Sequence, residues 1–266
     1  MDYVLPVAFA VAIWWLSTVV LLYRTGLPRS SYPGTLSAAS VVALAGAWAI
    51  IASRSAVTDV AMYAGFAGAI AVWGWHEVSY LFGFVSGPRP AACPPSCSAW
   101  QRFTFGLRAC AYHELLVVAT VGAIAALTWD YPNRISLWAF VILWLMRWSA
   151  KLNIFLGVRN LHSEYWPEHL AYLKSFARER AMNPLFPLSM VMAVVGLWLL
   201  GSLAQASGEA SAVRTGSMLL LTLLALAVIE HVFLVLRVPD GVLWSAGMRS
   251  RRGLGQPVPA KLQQRL

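Results

Sequence analysis

Charged side chains are scarce in this sequence. Asp, Glu, Lys and Arg make up only 12% of the 266 residues, whereas an ordinary soluble domain carries about 25%. Hydrophobic residues account for 59% of the chain. This composition leaves too little polar surface to face water on all sides. It excludes a soluble globular protein and indicates one that buries its surface in lipid.

Cysteine is also rare, with three residues in the whole chain. Cys93 and Cys97 are separated by three residues, and no second pair accompanies them. A structural zinc site needs four ligands, usually in paired clusters. The cysteines alone therefore do not define a zinc site, and the stiff Pro94-Pro95 turn is enough to explain their spacing.

The chain contains seven apolar runs, each long enough to cross a membrane as a helix. Spanning a bilayer core takes roughly 20 mostly apolar residues. Helices rather than strands are expected, because every backbone polar group in lipid must be paired within the segment. We predict an all-α, polytopic membrane helical bundle with about seven transmembrane helices, at 3–23, 35–52, 60–85, 109–129, 136–157, 185–205 and 217–239.

Lys and Arg are distributed very unevenly between the two sets of connections. Fourteen lie in the connections after helices 1, 3 and 5 and in the C-terminal tail, while Arg54, Arg134 and Arg214 lie on the other side. Loops rich in Lys and Arg stay in the cytoplasm. We therefore predict a bacterial inner (intracytoplasmic) membrane protein with a periplasmic N-terminus and a cytoplasmic C-terminus. The net charge of +9 then needs no nucleic-acid partner, and thiols in the loop 86–108 are expected to stay reduced.

Residues 1–244 are predicted to form a single transmembrane domain, followed by a basic cytoplasmic tail at 245–266. The two longer cytoplasmic loops of the transmembrane domain are predicted at 86–108 and 158–184. In the second loop, Ser163 could cap a helix and Pro167 lies near its first turn. Apolar residues then recur at helical spacing, at Leu170, Leu173 and Ala177. This pattern predicts an amphipathic helix lying at the cytoplasmic interface.

Every histidine of the chain lies within two residues of a glutamate, although the chain contains only seven glutamates. Three of the histidines fall inside predicted membrane spans. The pairs are His76-Glu77, His113-Glu114, Glu168-His169 and Glu230-His231, and His162 precedes Glu164. Intramembrane ionisable residues cost roughly 2.5–3.5 kcal/mol each by insertion scales. Their repeated occurrence indicates a shared role.

The predicted spans place these pairs at a common depth. With a rise of about 1.5 Å per residue, His76, His113 and His231 all lie in the inner half of the bilayer. The loop carrying Glu164 and His169 begins at the same face. We therefore predict one polar cavity that opens toward the cytoplasm, with Lys151 and Asn153 at its rim.

Three interpretations of this cavity remain open. It could be a metal site, since His and carboxylate ligands suit iron, manganese or zinc. It could provide an axial imidazole to a tetrapyrrole, or its pairs could only hydrogen-bond across helices and lock the bundle. For the first two, the predicted nitrogen donors are His76, His113, His169 and His231, and the oxygen donors or supporting partners are Glu77, Glu114, Glu164 and Glu230. The Glu-x-x-His pattern of soluble di-iron bundles is absent.

Two further features have structural interpretations. The small residues of "GFAGAIAVWG" (65–74) predict close helix packing. Arg147, in the middle of the fifth span, is expected either to pair with an acidic residue or to clamp the carboxylate or propionate of a ligand.

Several long stretches resemble the PuhE family. Its members are photosynthetic complex assembly proteins of phototrophic bacteria, and their genes lie near the gene for the reaction-centre H subunit. The stretches are "KLNIFLGVRNLHSEYWPEHLAYLKSF" (151–176), "WHEVSYLFGFVSGPR" (75–89), "CPPSCSAWQRF" (93–103) and "EHVFLVLRVPDGVLW" (230–244). The resemblance implies a role in assembling the reaction centre and its core antenna. The partners it implies are membrane lipid together with reaction-centre or light-harvesting subunits, or proteins of bacteriochlorophyll synthesis.

The sequence therefore predicts a membrane factor for assembly of photosynthetic complexes, acting through a His/Glu site that holds a metal or a pigment. The alternative is an enzyme, namely a membrane oxidoreductase of the di-iron type acting on a bacteriochlorophyll, quinone or carotenoid intermediate.

Overall fold

The computed structural model describes residues 3–161, 166–207 and 211–236. Within these ranges the chain folds into seven α-helices and two short 3₁₀ helices, Arg29–Ser31 and Glu168–Ser175. The α-helices are α1 (Val4–Thr25), α2 (Tyr32–Ser53), α3 (Asp59–Leu81), α4 (Ala99–Thr128), α5 (Ile135–Leu156), α6 (Leu185–Ala206) and α7 (Ser211–Val235). The predicted all-α helical bundle is confirmed.

Six of these helices are long and apolar enough to cross a membrane, all except α3. The protein is therefore a multi-pass membrane protein. Helix α3 has 23 residues, similar in length to the others, but packs against α1, α2, α4, α5 and α7. A helix enclosed by other helices meets little lipid, so it tolerates the polar residues that lower its hydropathy.

Helices α2 and α3 approach each other closely at two glycines. A methyl group added at Gly68 would lie 2.6 Å from the carbonyl oxygen of Gly46, and one added at Gly46 would lie 2.8 Å from the carbonyl oxygen of Gly68. The two backbones therefore approach each other directly, as small residues allow between membrane helices. The close packing predicted for residues 65–74 is confirmed at Gly68.

We expect Gly68→Ala to destabilise the bundle by about 1–3 kcal/mol, because the added methyl forces α2 and α3 apart. The measurement is the unfolding midpoint in mixed micelles. Gly74→Ala is the matched control on the same helix, since no atom of another described helix lies within 4 Å of the added methyl there. Equal effects of the two substitutions would show that the α2–α3 approach does not limit stability.

Helix α4 begins ten residues before its predicted start at 109. Ser98 accepts a hydrogen bond from the backbone of Gln101, whose side chain accepts one from the backbone of Ser98. This capping box satisfies two backbone donors at the start of the helix. The connection between α3 and α4 is therefore only the segment 82–98, hereafter the 82–98 loop, and not the whole of 86–108.

Three connections lie at one end of the bundle, hereafter the basic end. They are 26–31, 82–98 and the described parts, 157–161 and 166–184, of the connection between α5 and α6. Here the chain forms a 3₁₀ helix, Glu168–Ser175, with Leu170 and Leu173 buried. These leucines pack on an apolar cluster that includes Tyr80, Cys110 and Phe176. The predicted amphipathic segment thus faces the bundle as a 3₁₀ helix, and Ser163 lies outside the described residues.

Candidate functional site

Four ionisable side chains from α3, α4 and α5 meet near the basic end of the bundle. Three of them are largely buried, whereas the Arg147 side chain is 41% exposed. Arg147 and Lys151 lie four residues apart, on one face of α5. They reach Glu77 on α3 and Glu114 on α4. Together with His76 and His113, these four residues are hereafter the ionic cluster.

Each carboxylate of the ionic cluster is bonded to one cation. Arg147 Nη2 donates to Glu77 Oε2 at 2.8 Å, and Lys151 Nζ donates to Glu114 Oε1 at 2.6 Å. Lys151 Nζ also lies 4.5 Å from the centre of the Tyr80 ring, within the range of a cation–π interaction. Two anions and two cations leave the cluster electrically balanced, which lowers the cost of holding it in a membrane.

The hydrogen bonds of His76 fix which nitrogen carries its proton. Its Nε2 lies 3.0 Å from Thr120 Oγ1, but the Thr120 hydroxyl proton is already donated to the carbonyl of Leu116. Thr120 Oγ1 must therefore accept, and His76 Nε2 must donate. The other nitrogen, Nδ1, is left as a bare lone pair, with no hydrogen-bond partner in the described ranges.

His113 is arranged in a similar way. Its Nδ1 lies 3.2 Å from Glu114 Oε1 and 3.4 Å from Lys151 Nζ. The shorter contact is to a carboxylate, which can only accept, so Nδ1 carries the proton. Nε2 is then the bare nitrogen, and it too is buried without a hydrogen-bond partner in the part of the chain that the structure describes. The ring centres of His76 and His113 lie 6.2 Å apart.

His231 on α7 differs, because both of its nitrogens are engaged. Nδ1 lies 2.9 Å from the carbonyl oxygen of Ala227 and therefore donates to it. Nε2 lies 3.0 Å from Ser149 Oγ and accepts from it. His231 is buried and fully hydrogen-bonded, so its arrangement ties α7 to α5.

His169 lies apart from the ionic cluster, in the 3₁₀ helix at the basic end. Its ring packs against Tyr32, at 5.9 Å between ring centres, and against Gly83. Burial, and after it the positive charge of Arg29, lower the pKa of His169 below its ordinary value. The neutral imidazole is therefore the form that this packing favours.

The lowered pKa of His169 predicts that low pH destabilises the protein. As the pH falls through the ordinary value of 6.5, the unfolded chain binds a proton at this residue before the folded chain does, so folding loses free energy. We expect the unfolding midpoint to drop between pH 8 and pH 5.5 by more in the wild type than in His169→Gln. Parallel pH profiles for the two proteins would contradict this.

The remaining predicted ligands are distributed as follows. Glu230 is exposed on α7 and interacts electrostatically with Arg147. Glu164 lies outside the described residues. Asn153, predicted at the rim, is buried and bonded to Ser149 and Asn183.

The profile described as "Protein of unknown function (DUF3623)" covers residues 1–254. The chain belongs to this family. A Rhodobacter capsulatus relative, described as "Uncharacterized 30.4 kDa protein in puhA 5'region", is 34% identical over 262 residues, covering 94% of each chain. The resemblance to the PuhE family is confirmed by these two matches. No solved structure matches the chain.

In this DUF3623 protein the structure brings together half of the eight predicted ligands: His76, Glu77, His113 and Glu114. Between residues 3 and 236, apart from the gaps at 162–165 and 208–210, no group of three or more His, Cys, Asp or Glu side chains is arranged to hold a metal ion. The eight-residue ligand set stays a prediction.

Sequence reasoning missed the hydrogen-bond partners that distinguish the histidines. Thr120 decides which nitrogen of His76 is bare, and Ser149 engages the second nitrogen of His231. Each is a common small polar residue in a membrane helix. A signal existed for Thr120, which lies seven residues after His113 and therefore on the same face of α4. No comparable signal linked Ser149 to His231.

Proposed function

We propose that the protein is an integral membrane factor for assembly of the bacterial photosynthetic reaction centre and its core antenna. The support is the Rhodobacter capsulatus relative, which is described as a protein in the puhA 5' region, together with the membership in a family resembling PuhE. A multi-pass bundle suits such a role, because the reaction-centre and antenna subunits meet within the same membrane.

The ionic cluster is the proposed functional centre. Apolar residues of similar volume often stabilise a protein interior as well as a buried ion pair does, so stability alone gives little reason for four charged side chains here. Intramembrane ionisable groups typically mark sites of function. The observation that carries the proposal is that two bare, buried imidazole nitrogens, His76 Nδ1 and His113 Nε2, lie within this one cluster. Among the described residues, a third such nitrogen, His169 Nε2, lies apart from it.

Each bare nitrogen is suited to ligate a metal or the magnesium of a tetrapyrrole. A ligating histidine usually donates its other ring N–H to a carboxylate, carbonyl or similar acceptor, which fixes the ring and its tautomer. Glu114 plays this part for His113, and Thr120 plays it for His76. We propose that iron or a tetrapyrrole binds at one or both of these nitrogens.

The alternative, a di-iron-type oxidoreductase acting on a bacteriochlorophyll, quinone or carotenoid intermediate, has less support from the geometry. Such a centre draws several carboxylate ligands from the helices. Here Glu77 and Glu114 are bonded to Arg147 and Lys151, and both bonds would have to be exchanged for metal.

A deletion strain and the purified protein test the proposal together. For an assembly factor, we expect normal pigment precursors, few complete reaction centres, and reaction-centre or antenna subunits that co-purify with the protein in mild detergent. A metal or tetrapyrrole bound to the purified protein would support the site. Accumulation of one pigment precursor, with about two irons per chain as in di-iron bundles, would instead establish the enzyme. Normal levels of complexes in the deletion strain would refute the assembly role.

A further inference from the structure

Cys93 and Cys97 form a disulfide within the 82–98 loop. The sequence predicts that these two cysteines are reduced thiols, whereas the structure joins them in a disulfide. Both residues are partly exposed and can be reached from solvent. Cys110, the free cysteine, is fully buried on α4.

The bonded cysteines hold the 82–98 loop against the 3₁₀ helix. The backbone N–H of Cys93 donates to Ser175 Oγ at 2.8 Å, and its side chain packs on the apolar cluster that contains Leu170, Leu173 and Phe176. Arg102 on α4 donates to the carbonyl of Ser175 at 3.3 Å. The loop, the 3₁₀ helix and the start of α4 are thus connected around Ser175.

The same loop also contacts the ionic cluster. The backbone N–H of His113 donates to the carbonyl of Ser86 at 2.9 Å. Next to it, a methyl group on Gly87 would collide with the carbonyl oxygen of Arg108 and lie 2.7 Å from the carbonyl carbon of Ala109. The loop backbone is therefore pressed onto α4 directly beside His113.

We propose that Cys93 and Cys97 are a reversible thiol–disulfide exchange site that controls how tightly the 82–98 loop is held against the ionic cluster. The uneven distribution of Lys and Arg predicts a cytoplasmic position, where small thiols and dithiol proteins reduce accessible disulfides. This site is independent of whether the ionic cluster binds a metal or a pigment.

The exchange is a two-electron step with a cellular thiol as the other reactant. A reductant thiolate attacks one cysteine sulfur, the Cys93–Cys97 bond breaks, and the other cysteine leaves as a thiolate that takes up a proton. A second reductant thiolate attacks the reductant sulfur of the mixed disulfide, the remaining cysteine leaves as a thiolate that takes up a proton, and the two reductant thiols become one disulfide. In the reverse direction, the turn in which Cys97 N–H donates to Pro94 O at 3.1 Å keeps the two thiols close for re-oxidation.

Counting free thiols in cells tests the proposal. Proteins are trapped in acid, unfolded and alkylated with a maleimide of defined mass. We expect one addition per chain, at Cys110, after treatment with a thiol oxidant, and three after treatment with dithiothreitol. Cys97→Ser is the control and should give two additions under both conditions. Three additions after oxidant, or one addition after dithiothreitol treatment of folded membranes, would overturn the exchange site.

Two further measurements test the position of the site and its effect on the loop. A membrane-impermeant maleimide should label the reduced pair from the cytoplasmic side only, in inverted vesicles and not in spheroplasts. Labelling in spheroplasts would overturn the proposed reaction with cytoplasmic thiols.

Amide hydrogen exchange in peptides covering Cys93 and His113 should be faster in the reduced protein and in the Cys93→Ser/Cys97→Ser variant than in the oxidised protein. Equal exchange in all three would overturn the control of the loop.

Discussion

Replacing Lys151 by Met is expected to destabilise the folded protein by about 3–5 kcal/mol, the typical cost of leaving a buried charge without its partner. Lys151 and Glu114 expose only 11% and 14% of their side chains, so water cannot take over the role of the lost partner. The Glu114 carboxylate would retain the N–H of His113 as its remaining hydrogen-bond donor from the cluster. The measurement is the denaturant unfolding midpoint in mixed micelles.

The double variant Lys151→Met/Glu114→Gln separates the ion pair from other effects of the substitutions. Since the double variant removes both charges, its loss should be smaller than the sum of the two single losses by about 0.5–3 kcal/mol, the range for residues in contact. Lys174→Met provides an exposed control and should change stability by no more than about 0.5 kcal/mol. Additive single losses would show that Lys151 and Glu114 do not act as a pair.

The helices could be predicted from the sequence because each depends on a local property. A run of about 20 apolar residues forms a membrane helix almost regardless of its neighbours. The sequence prediction places the start of α4 ten residues too late. Residues 99–108 include aromatic, polar and basic side chains, so they do not continue the apolar run. The signal for the start of α4 was the capping box of Ser98 and Gln101, which the prediction did not use.

The partners of the polar residues could not be predicted in the same way. His76, His113 and His231 look alike in the sequence, since each is a histidine next to a glutamate in an apolar run. What separates them is the rotation of each helix relative to its neighbours, which sets whether Ser149 or Thr120 is within reach. That rotation depends on packing across the whole bundle, and a single sequence does not specify it by any local pattern.

The ion-pair partners of Arg147 and Lys151 could not be predicted from the sequence either. Arg147 was expected to pair with an acidic residue or to clamp a ligand, and the structure pairs it with Glu77. Lys151 was placed at the rim of the cavity, yet it bonds to Glu114 inside the cluster. The spacing of Arg147 and Lys151 shows that they share one face of α5, but the choice of carboxylate depends on how α3 and α4 flank that face.

Substitutions that remove the bare imidazole nitrogens should strongly reduce function while the fold is kept. In His76→Gln, the amide N–H can still donate to Thr120, but the lone pair of Nδ1 is lost. In His113→Asn, the amide N–H can still donate to Glu114, but the lone pair of Nε2 is lost. If these nitrogens bind the cofactor, each variant should accumulate in the membrane and lower the yield of reaction centres by at least about tenfold, the lower end of the loss in metal affinity that even a supporting residue causes.

His231→Asn is the matched comparison for these two variants. His231 uses both nitrogens within the protein, on Ala227 and Ser149, so it has no lone pair to offer a cofactor. We expect this variant to lower the unfolding midpoint but to retain cofactor content and near-normal reaction-centre yield, measured by near-infrared absorbance per unit of membrane protein. The assignment of the site to His76 and His113 fails if all three variants keep normal yields, or if His231→Asn loses bound cofactor while the other two keep it.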